Sequence, residues 1–447
     1  MRDGKIGCMG WIDSPNSVIH PSFIVIHRLN TQKCFSAKDF QKIYRRGRMD
    51  YSDYSFSATT HAEFFKAESE LIRLGERFVN IPSAKYMRTT LLAIDAVFAI
   101  RISRDIVLPV VPLIVAFDQS EWRHSNVGEN DRREHWLVSH FSKSAFKESM
   151  EALHYMQAIQ WVATNTHTET VISIDTVLHL HEILLSGETG ADRYHGFRKS
   201  FLPYKKGTDP SNISFEIMDL CRFINTDCFS PIGQATVIHH AFESIVPFES
   251  LIDRTGLALA FMSMFRRGVF TDGYMVPICW GASLEKEYRR KLRDSSRHMP
   301  STETYLRYRE RWAAYNARNT HLSVVIAKSF LSAAERLRLK WRSQVLRIPS
   351  SSALDKLLDL FLAVPNLSTT RASKIIGKSY GATNEAMRQM VKAGIIKEVA
   401  LDGRERVFVC EQSASMITEF VEDLGNVEDL GKMGDRDEAS KEINTTR

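Results

Sequence analysis

The side chains best suited to chemistry in this chain are its fifteen histidines and six cysteines. An imidazole can act as a base or bind a metal, and a thiolate can act as a nucleophile or bind zinc. His239 and His240 are adjacent, and His179 and His181 lie two positions apart. On a helix, the two side chains of either pair would therefore project in different directions. The cysteines form no C-x-x-C pair, and no histidines complete a ligand set. The spacing predicts ordinary histidines, no metal site and no disulfide framework.

A second candidate is the stretch IVPFESLIDRTG, in which an arginine follows a loop. Pro247 breaks the preceding helix, and a new helix is predicted from about Arg254 to Gly268. The order of elements, with a Gly-x-Arg loop upstream and then HHAFESIVPF, resembles the Fic (Fido) family of nucleotide-transferring domains. The residues that carry the resemblance before the loop are His240, Phe242, Glu243 and Ile245.

The resemblance implies a chemistry for which this chain lacks the residues. In the family signature H-[P/x]-F-x-[D/E]-G-N-G-R-x-x-R, the imidazole is a base, the carboxylate holds a metal, and the glycine turn cradles phosphate. Val246 stands at the base position and Ser250 at the carboxylate position. The remaining positions of the motif, 245–257, hold Phe248, Leu251, Ile252, Asp253, Arg254 and Leu257. Since valine accepts no proton and branched side chains block phosphate, the resemblance implies that ordinary transferase chemistry is lost.

Arg254 is one of the two signature residues that this chain retains, together with Phe248. Its guanidinium is a candidate anion-binding group, and the alternative is a structural arginine that caps or bridges helices. Asp253 beside it adds a negative charge where phosphate would lie. We expect no cofactor, and ATP with Mg²⁺ only if an unconventional active site survives.

Residues 351–411 have the clearest local pattern in the chain. They predict three helices, with Ser368 capping the second and Gly377 ending it, and then two strands joined by an Asp-Gly turn. This order resembles a winged helix-turn-helix domain, whose third helix enters the major groove of DNA. The resemblance implies a DNA-contacting set comprising Thr369, Thr370, Arg371, Thr383, Asn384, Arg388, Lys392, Arg404 and Arg406. The buried side of the third helix is predicted to be Ala382, Ala386, Met387, Met390 and Val391.

The net charge of +6 is unevenly distributed along the chain. From Gln412 onward there are nine acidic and four basic residues, so the preceding residues carry +11. A basic excess favours a polyanionic partner, because neutralising phosphates is the main source of non-specific affinity for DNA. The same exposed basic residues would also suit a winged helix that only docks protein, and that alternative stays open.

The elements that would position these residues are mainly helical. We predict a mainly α fold: a mixed or helical extension at 1–85, a Fic-like domain at 86–281, linker helices at 282–346, the winged helix-turn-helix at 351–411, and a disordered acidic tail at 412–447. The longest apolar run, Ile106 to Phe117, is twelve residues, against roughly 20 needed to span a bilayer. We therefore expect no membrane span and a cytoplasmic protein.

Two functions follow as hypotheses. The first is a catalytically degenerate Fic-like protein that regulates transcription by binding DNA, with a protein partner on its helical domain as a further expectation. The second is a Fic-like nucleotidyltransferase that modifies a protein hydroxyl by AMPylation-type chemistry, with a non-standard base such as His239, His240 or Glu249. The pattern favours loss of enzyme activity, and it leaves the oligomeric state undefined.

Overall fold

We describe the protein from a computed structural model. The described residues are 56–104, 106–123, 145–185, 196–203, 205, 207–270, 302–345, 348–401 and 405–425. All of them belong to one compact unit, Asp50–Arg447. This part of the chain is mainly helical, so the predicted fold class is confirmed. Residues 1–55 of the predicted extension, 282–301 of the predicted linker and 426–447 of the tail lie outside the described residues.

Helices account for nearly all of the regular structure that the described residues form before residue 345. Serine caps begin two of them: the Ser57 hydroxyl accepts from the Thr60 N–H, and the Ser230 hydroxyl accepts from the Gly233 N–H just after Pro231. In chain order the helices are α1 Ala58–Val79, α2 Ala84–Arg104, α3 Val110–Arg123, α4 Phe146–Asn165, α5 Ile174–Leu185, α6 Ile213–Ile224, α7 Pro231–Ile245, α8 Ile252–Arg266 and α9 Thr302–Gln344.

The core of this helical part is built around α7 and α8. The two helices pack on each other, and α8 also contacts α4 and α5. Nearly every residue of α8 is buried, including Arg254 and Thr255, because the helix is apolar on most of its circumference. The loop between α7 and α8, the predicted motif, is therefore held in the centre of the helical part.

The long helix α9 is an integral part of the core. It has 43 residues and packs along α1 and against α7. Side-chain contacts join α1 and α9, which run in parallel: Arg77 Nη2 lies 3.2 Å from Glu335 Oε2, and His321 Nδ1 lies 2.9 Å from Glu70 Oε2. Buried aromatic rings along α9 include Trp312, Tyr315, Phe330 and Trp341. The segment predicted as linker helices is thus helical over 302–344, and these rings bury it in the core.

The C-terminal module contains three short helices and a small sheet. Its elements are α10 Ala353–Ala363, β1 Asn366–Ser368, α11 Thr369–Ile376, α12 Tyr380–Lys392, β2 Lys397–Leu401 and β3 Glu405–Val409. The sheet is antiparallel with strand order β1-β3-β2, and Leu367 pairs with Phe408. Ser368 caps α11 and Gly377 ends it with a φ of 64°, as the sequence predicts.

The module is docked on the long helices through α10, which packs against α2, α9, α11 and α12. Thr90 Oγ1 on α2 donates to the Ala363 carbonyl at 2.6 Å. Arg338 on α9 donates to Asp355 Oδ1 at 3.1 Å and also to Asp359. Because both acids are on α10, Arg338 ties the module to the helical part, together with Arg342, whose Nη1 lies 3.0 Å from Asp355 Oδ1.

The first part of the acidic tail is helical, so the expectation of disorder from residue 412 is wrong there. Helix α13, Glu411–Gly425, buries Ile417, Val421 and Leu424 and packs against α3, α9 and α10. Apolar residues at helical spacing bury one face and leave the acidic residues on the other, which overall composition does not reveal. Among the described helices, none has the length and apolar content to cross a bilayer.

Candidate functional site

The loop between α7 and α8 has a left-handed backbone at both ends. Val246 has φ 53° and ψ 62°, and Leu251 has φ 55° and ψ 27°. Such a conformation costs about 1–3 kcal/mol in a non-glycine residue and persists only where the surroundings impose it. Both side chains are buried, so packing holds the loop in this shape.

Arg198 is the residue that fixes this loop. Its guanidinium donates to the Val246 carbonyl at 2.6 Å, to the Ser200 carbonyl at 2.8 Å and to the Thr208 carbonyl. Its backbone N–H donates to the Pro247 carbonyl at 2.9 Å. The sequence indicates Arg198 only as the arginine of the Gly-x-Arg loop, because its partners are carbonyl groups that no residue type signals.

The predicted motif positions contribute mainly apolar side chains to the core. Phe248 stacks on the His181 ring, with centroids 3.6 Å apart and planes 3° apart. Gly207 lies so close to Val246 that a Cβ added there would be 2.6 Å from Val246 Cβ. The buried positions of the motif are Val246, Phe248, Leu251, Ile252, Arg254 and Leu257. Ser250 and Asp253 are half-buried.

Arg254, the candidate anion-binding group, faces protein carboxylates. Its side chain is 4% exposed, and Nη2 lies 3.2 Å from Glu151 Oε2 on α4. Nη1 lies 3.8 Å from Asp253 Oδ1. Because the protein itself supplies negative charge to this guanidinium, the geometry fits the alternative role, in which Arg254 bridges helices.

Two histidines and a carboxylate of α7 are buried beside the loop. Burial lowers the pKa of His239 to about 4, although nearby Asp253 acts in the opposite direction. Burial raises the pKa of Glu243, an effect that Lys205 partly offsets with its Nζ 2.6 Å from Glu243 Oε2. His240 is also buried. The His239 imidazole is therefore neutral in the folded protein at neutral pH.

Acid destabilisation is expected from His239. Between pH 6.5 and about 4, the unfolded chain binds a proton at this residue and the folded chain does not. Stability is therefore lost as pH falls, by about 2 kcal/mol from pH 7 to pH 5. Urea unfolding at the two pH values should show a smaller difference for His239→Asn than for the wild type. Equal pH dependence of the two proteins would contradict this.

The second candidate site is the exposed side of α12. Tyr380, Glu385, Arg388, Gln389 and Lys392 are exposed there. The residues that face α10 and α11 are Thr383, Ala386, Met387 and Met390. This helix therefore presents a polar face that carries both signs of charge, one turn beyond its Ser379 cap.

Several residues predicted to contact DNA do not lie on this surface. Thr383 is 0% exposed, and its hydroxyl donates to the Ser379 carbonyl at 2.9 Å. Thr369 is buried with its hydroxyl 3.4 Å from Met387 Sδ. These two assignments are wrong, because a hydroxyl satisfied inside the module can be buried at little cost. Val391 and Ala382, predicted to be buried, are exposed.

The other predicted contacts are distributed around the module. Thr370 and Arg371 are half-buried at the start of α11, and Asn384 is half-buried on α12. Arg406 is exposed on β3, with Nη1 3.4 Å from Glu398 Oε1. Arg388 and Lys392 are exposed on α12, as expected. Arg404 lies outside the described residues.

The described part of the chain contains no group of three or more histidine, cysteine, aspartate or glutamate side chains arranged to hold a metal ion. Cys221 and Cys410 are buried and Cys228 is exposed, each as a free thiol. Burial raises the pKa of Cys221 to about 12, so this thiol is not suited to act as a nucleophile.

Comparison with known proteins gives partial similarity to solved structures, among them these two. A Fic family protein from Desulfovibrio desulfuricans is 13% identical, over 80% of this chain and 98% of its own, with a TM-score of 0.42. Fic-1 from C. elegans is 17% identical, over 58% of this chain and 72% of the solved chain, with a TM-score of 0.36. No protein-family model and no curated protein matches the sequence. Similarity at this level does not assign the chain to a family.

Proposed function

We propose that this protein is a DNA-binding regulator in which a winged helix-turn-helix is joined to a Fic-like helical domain without nucleotide-transfer activity. The observation that carries the proposal is the exposed polar face of α12, with Arg388 and Lys392 one turn apart. A helix that reads the major groove needs such a face and a firmly packed opposite side. The buried side of α12 meets the second requirement.

The arrangement around α12 supports the same assignment. Helices α10, α11 and α12 are followed by the β2–β3 hairpin, and β1 completes the sheet on the far side of β3. A helix, a capped second helix, a tight turn and a third helix are the elements of a helix-turn-helix, and the hairpin takes the place of a wing. Lys374 and Lys378, both exposed near the turn, add positive charge beside the start of α12.

The helical domain supports a role without transfer chemistry. The loop that would cradle phosphate instead inserts Val246, Leu251 and Ile252 into the core. Arg254, which would meet an anion, faces Glu151. Arg198 holds the loop through the Val246 and Pro247 carbonyls, and both ends of the loop are left-handed.

Nucleotide binding is therefore expected to be undetectable. Isothermal titration of the full chain with ATP, UTP or CTP and Mg²⁺, up to millimolar nucleotide, should give no heat of binding. Label transfer from these nucleotides to protein should also be absent. A measured affinity that is lost in Arg254→Met would contradict the proposed degeneracy and would restore the transferase hypothesis.

Salt-dependent binding to duplex DNA is the expected positive result. Fluorescence anisotropy of a labelled random-sequence duplex should show binding at about 50 mM salt that weakens steeply by about 200 mM, because bound counterions are released. The logarithmic slope should be about −0.9 for each phosphate neutralised. Failure to bind at 50 mM salt would rule out the proposal, whereas a salt-independent affinity would indicate a different kind of interface.

A further inference from the structure

Glu385 is the centre of a polar cluster on the exposed face of α12. Gln389 Nε2 donates to Glu385 Oε1 at 3.3 Å, and Arg388 Nη1 lies 3.7 Å from Glu385 Oε2. All three side chains are exposed. One carboxylate thus contacts both an amide and a guanidinium within a single helical turn.

The spacing of these residues places them on one side of the helix. Positions three and four apart are neighbours on a helical surface, so Arg388 and Gln389 are both in reach of Glu385. The buried residues of α12, among them Met387 and Met390, fix the orientation of the helix about its own axis. The cluster is therefore held outward by the core of the module.

The charge of Glu385 is unexpected on a surface that binds a polyanion. A carboxylate near phosphates is repelled. Because Glu385 offsets one of the two positive charges of Arg388 and Lys392, the α12 face carries a net charge of about one cation. In the major groove, by contrast, a carboxylate can accept a hydrogen bond from the cytosine N4 amino group. Arginine and glutamine are suited to guanine and adenine edges.

We infer that Glu385 is the specificity-determining residue of α12. Glu385 positions the Arg388 and Gln389 side chains towards the base edges of duplex DNA, and it disfavours sequences that offer its carboxylate no hydrogen-bond donor. This inference rests on the proposed DNA-binding function. It predicts that charge on this face selects among sequences, whereas Lys374, Lys378 and Lys392 supply sequence-independent affinity.

The test uses the full chain and the isosteric change Glu385→Gln. A preferred duplex is first obtained by selection from a random library with the wild type, and the affinities for that duplex and for random duplex are then measured. We expect Glu385→Gln to bind random duplex about 3- to 10-fold more tightly and to lose about 10-fold in the ratio of the two affinities. Glu422→Gln, an exposed site on α13, makes the same charge change as a control and should alter neither quantity.

The outcomes separate this inference from the function on which it rests. If the wild type binds no duplex at all, the proposed function fails and the role of Glu385 fails with it. If the wild type binds DNA and Glu385→Gln keeps the wild-type ratio, only the inference is overturned. A wild type that binds every sequence equally also overturns it. A lower ratio in Glu385→Gln with an unchanged thermal midpoint supports it, since a structural defect would lower both.

Discussion

Replacing Arg338 by alanine is expected to destabilise the attachment of the C-terminal module by about 3 kcal/mol. Arg338 is 13% exposed and binds Asp355 and Asp359, and Asp359 is 7% exposed. Burial raises the pKa of Asp359, and the hydrogen bond from Arg338 opposes this. Without Arg338, the buried carboxylate of Asp359 on α10 loses its charge partner. Removing one partner of a buried ion pair costs more stability than replacing both partners by apolar residues.

The measurement is urea unfolding of the full chain, followed by tryptophan fluorescence, because Trp341 is buried on α9 one turn beyond Arg338. Arg336→Ala is the matched control, since Arg336 is exposed on the same helix. The double variant Arg338→Ala, Asp359→Asn should recover part of the loss, because it removes the isolated charge. Equal unfolding midpoints for Arg338→Ala and Arg336→Ala would show that this ion pair does not hold the module.

Local signals in the sequence predicted the elements that depend on neighbouring residues. Ser368 and Gly377 bound α11 because a serine cap and a left-handed glycine act within one turn. By contrast, β1 has only three residues and exists through pairing with β3, some forty positions later. Such a short strand has no periodicity of its own, so the sequence did not predict it.

The composition of a segment was a poor guide where a minority of residues decides the structure. Helix α13 is acidic overall, yet Ile417, Val421 and Leu424 are enough to dock it. On α12 the predicted buried stripe was rotated, because it included Ala382 and Val391 and excluded Thr383. The Thr383 hydroxyl is satisfied by the Ser379 carbonyl, and this local bond makes a polar residue suitable for the core.

The candidate sites were predicted to different extents. Arg388 and Lys392 are exposed as expected, because charged residues at helical spacing indicate a surface. The contacts of Arg198 with backbone carbonyls and of Arg254 with Glu151 join residues that are distant in sequence. Only the folded chain brings these groups together, so no spacing rule identifies them.

Reversing the two cations of α12 is expected to have the largest effect on DNA binding. Arg388→Glu with Lys392→Glu removes two attractive charges and adds two repulsive ones on the face proposed to enter the major groove. We expect the affinity for duplex to fall by at least about 100-fold, which is about 2.8 kcal/mol. Both side chains are exposed, so the fold should be retained.

The measurement that tests the central claim most directly compares this variant with Arg336→Glu, Lys340→Glu. Arg336 and Lys340 are also exposed and four residues apart, on α9, so the net charge and the spacing of the changes are identical. Anisotropy titration of the same duplex at one salt concentration should show the large loss for the α12 variant. The α9 variant should lose less than about 10-fold, because its changes lie outside the proposed reading helix and act on DNA only through the long-range field. Equal losses in the two variants, or an α12 variant that binds like the wild type, would contradict the assignment of α12 as the DNA-reading helix.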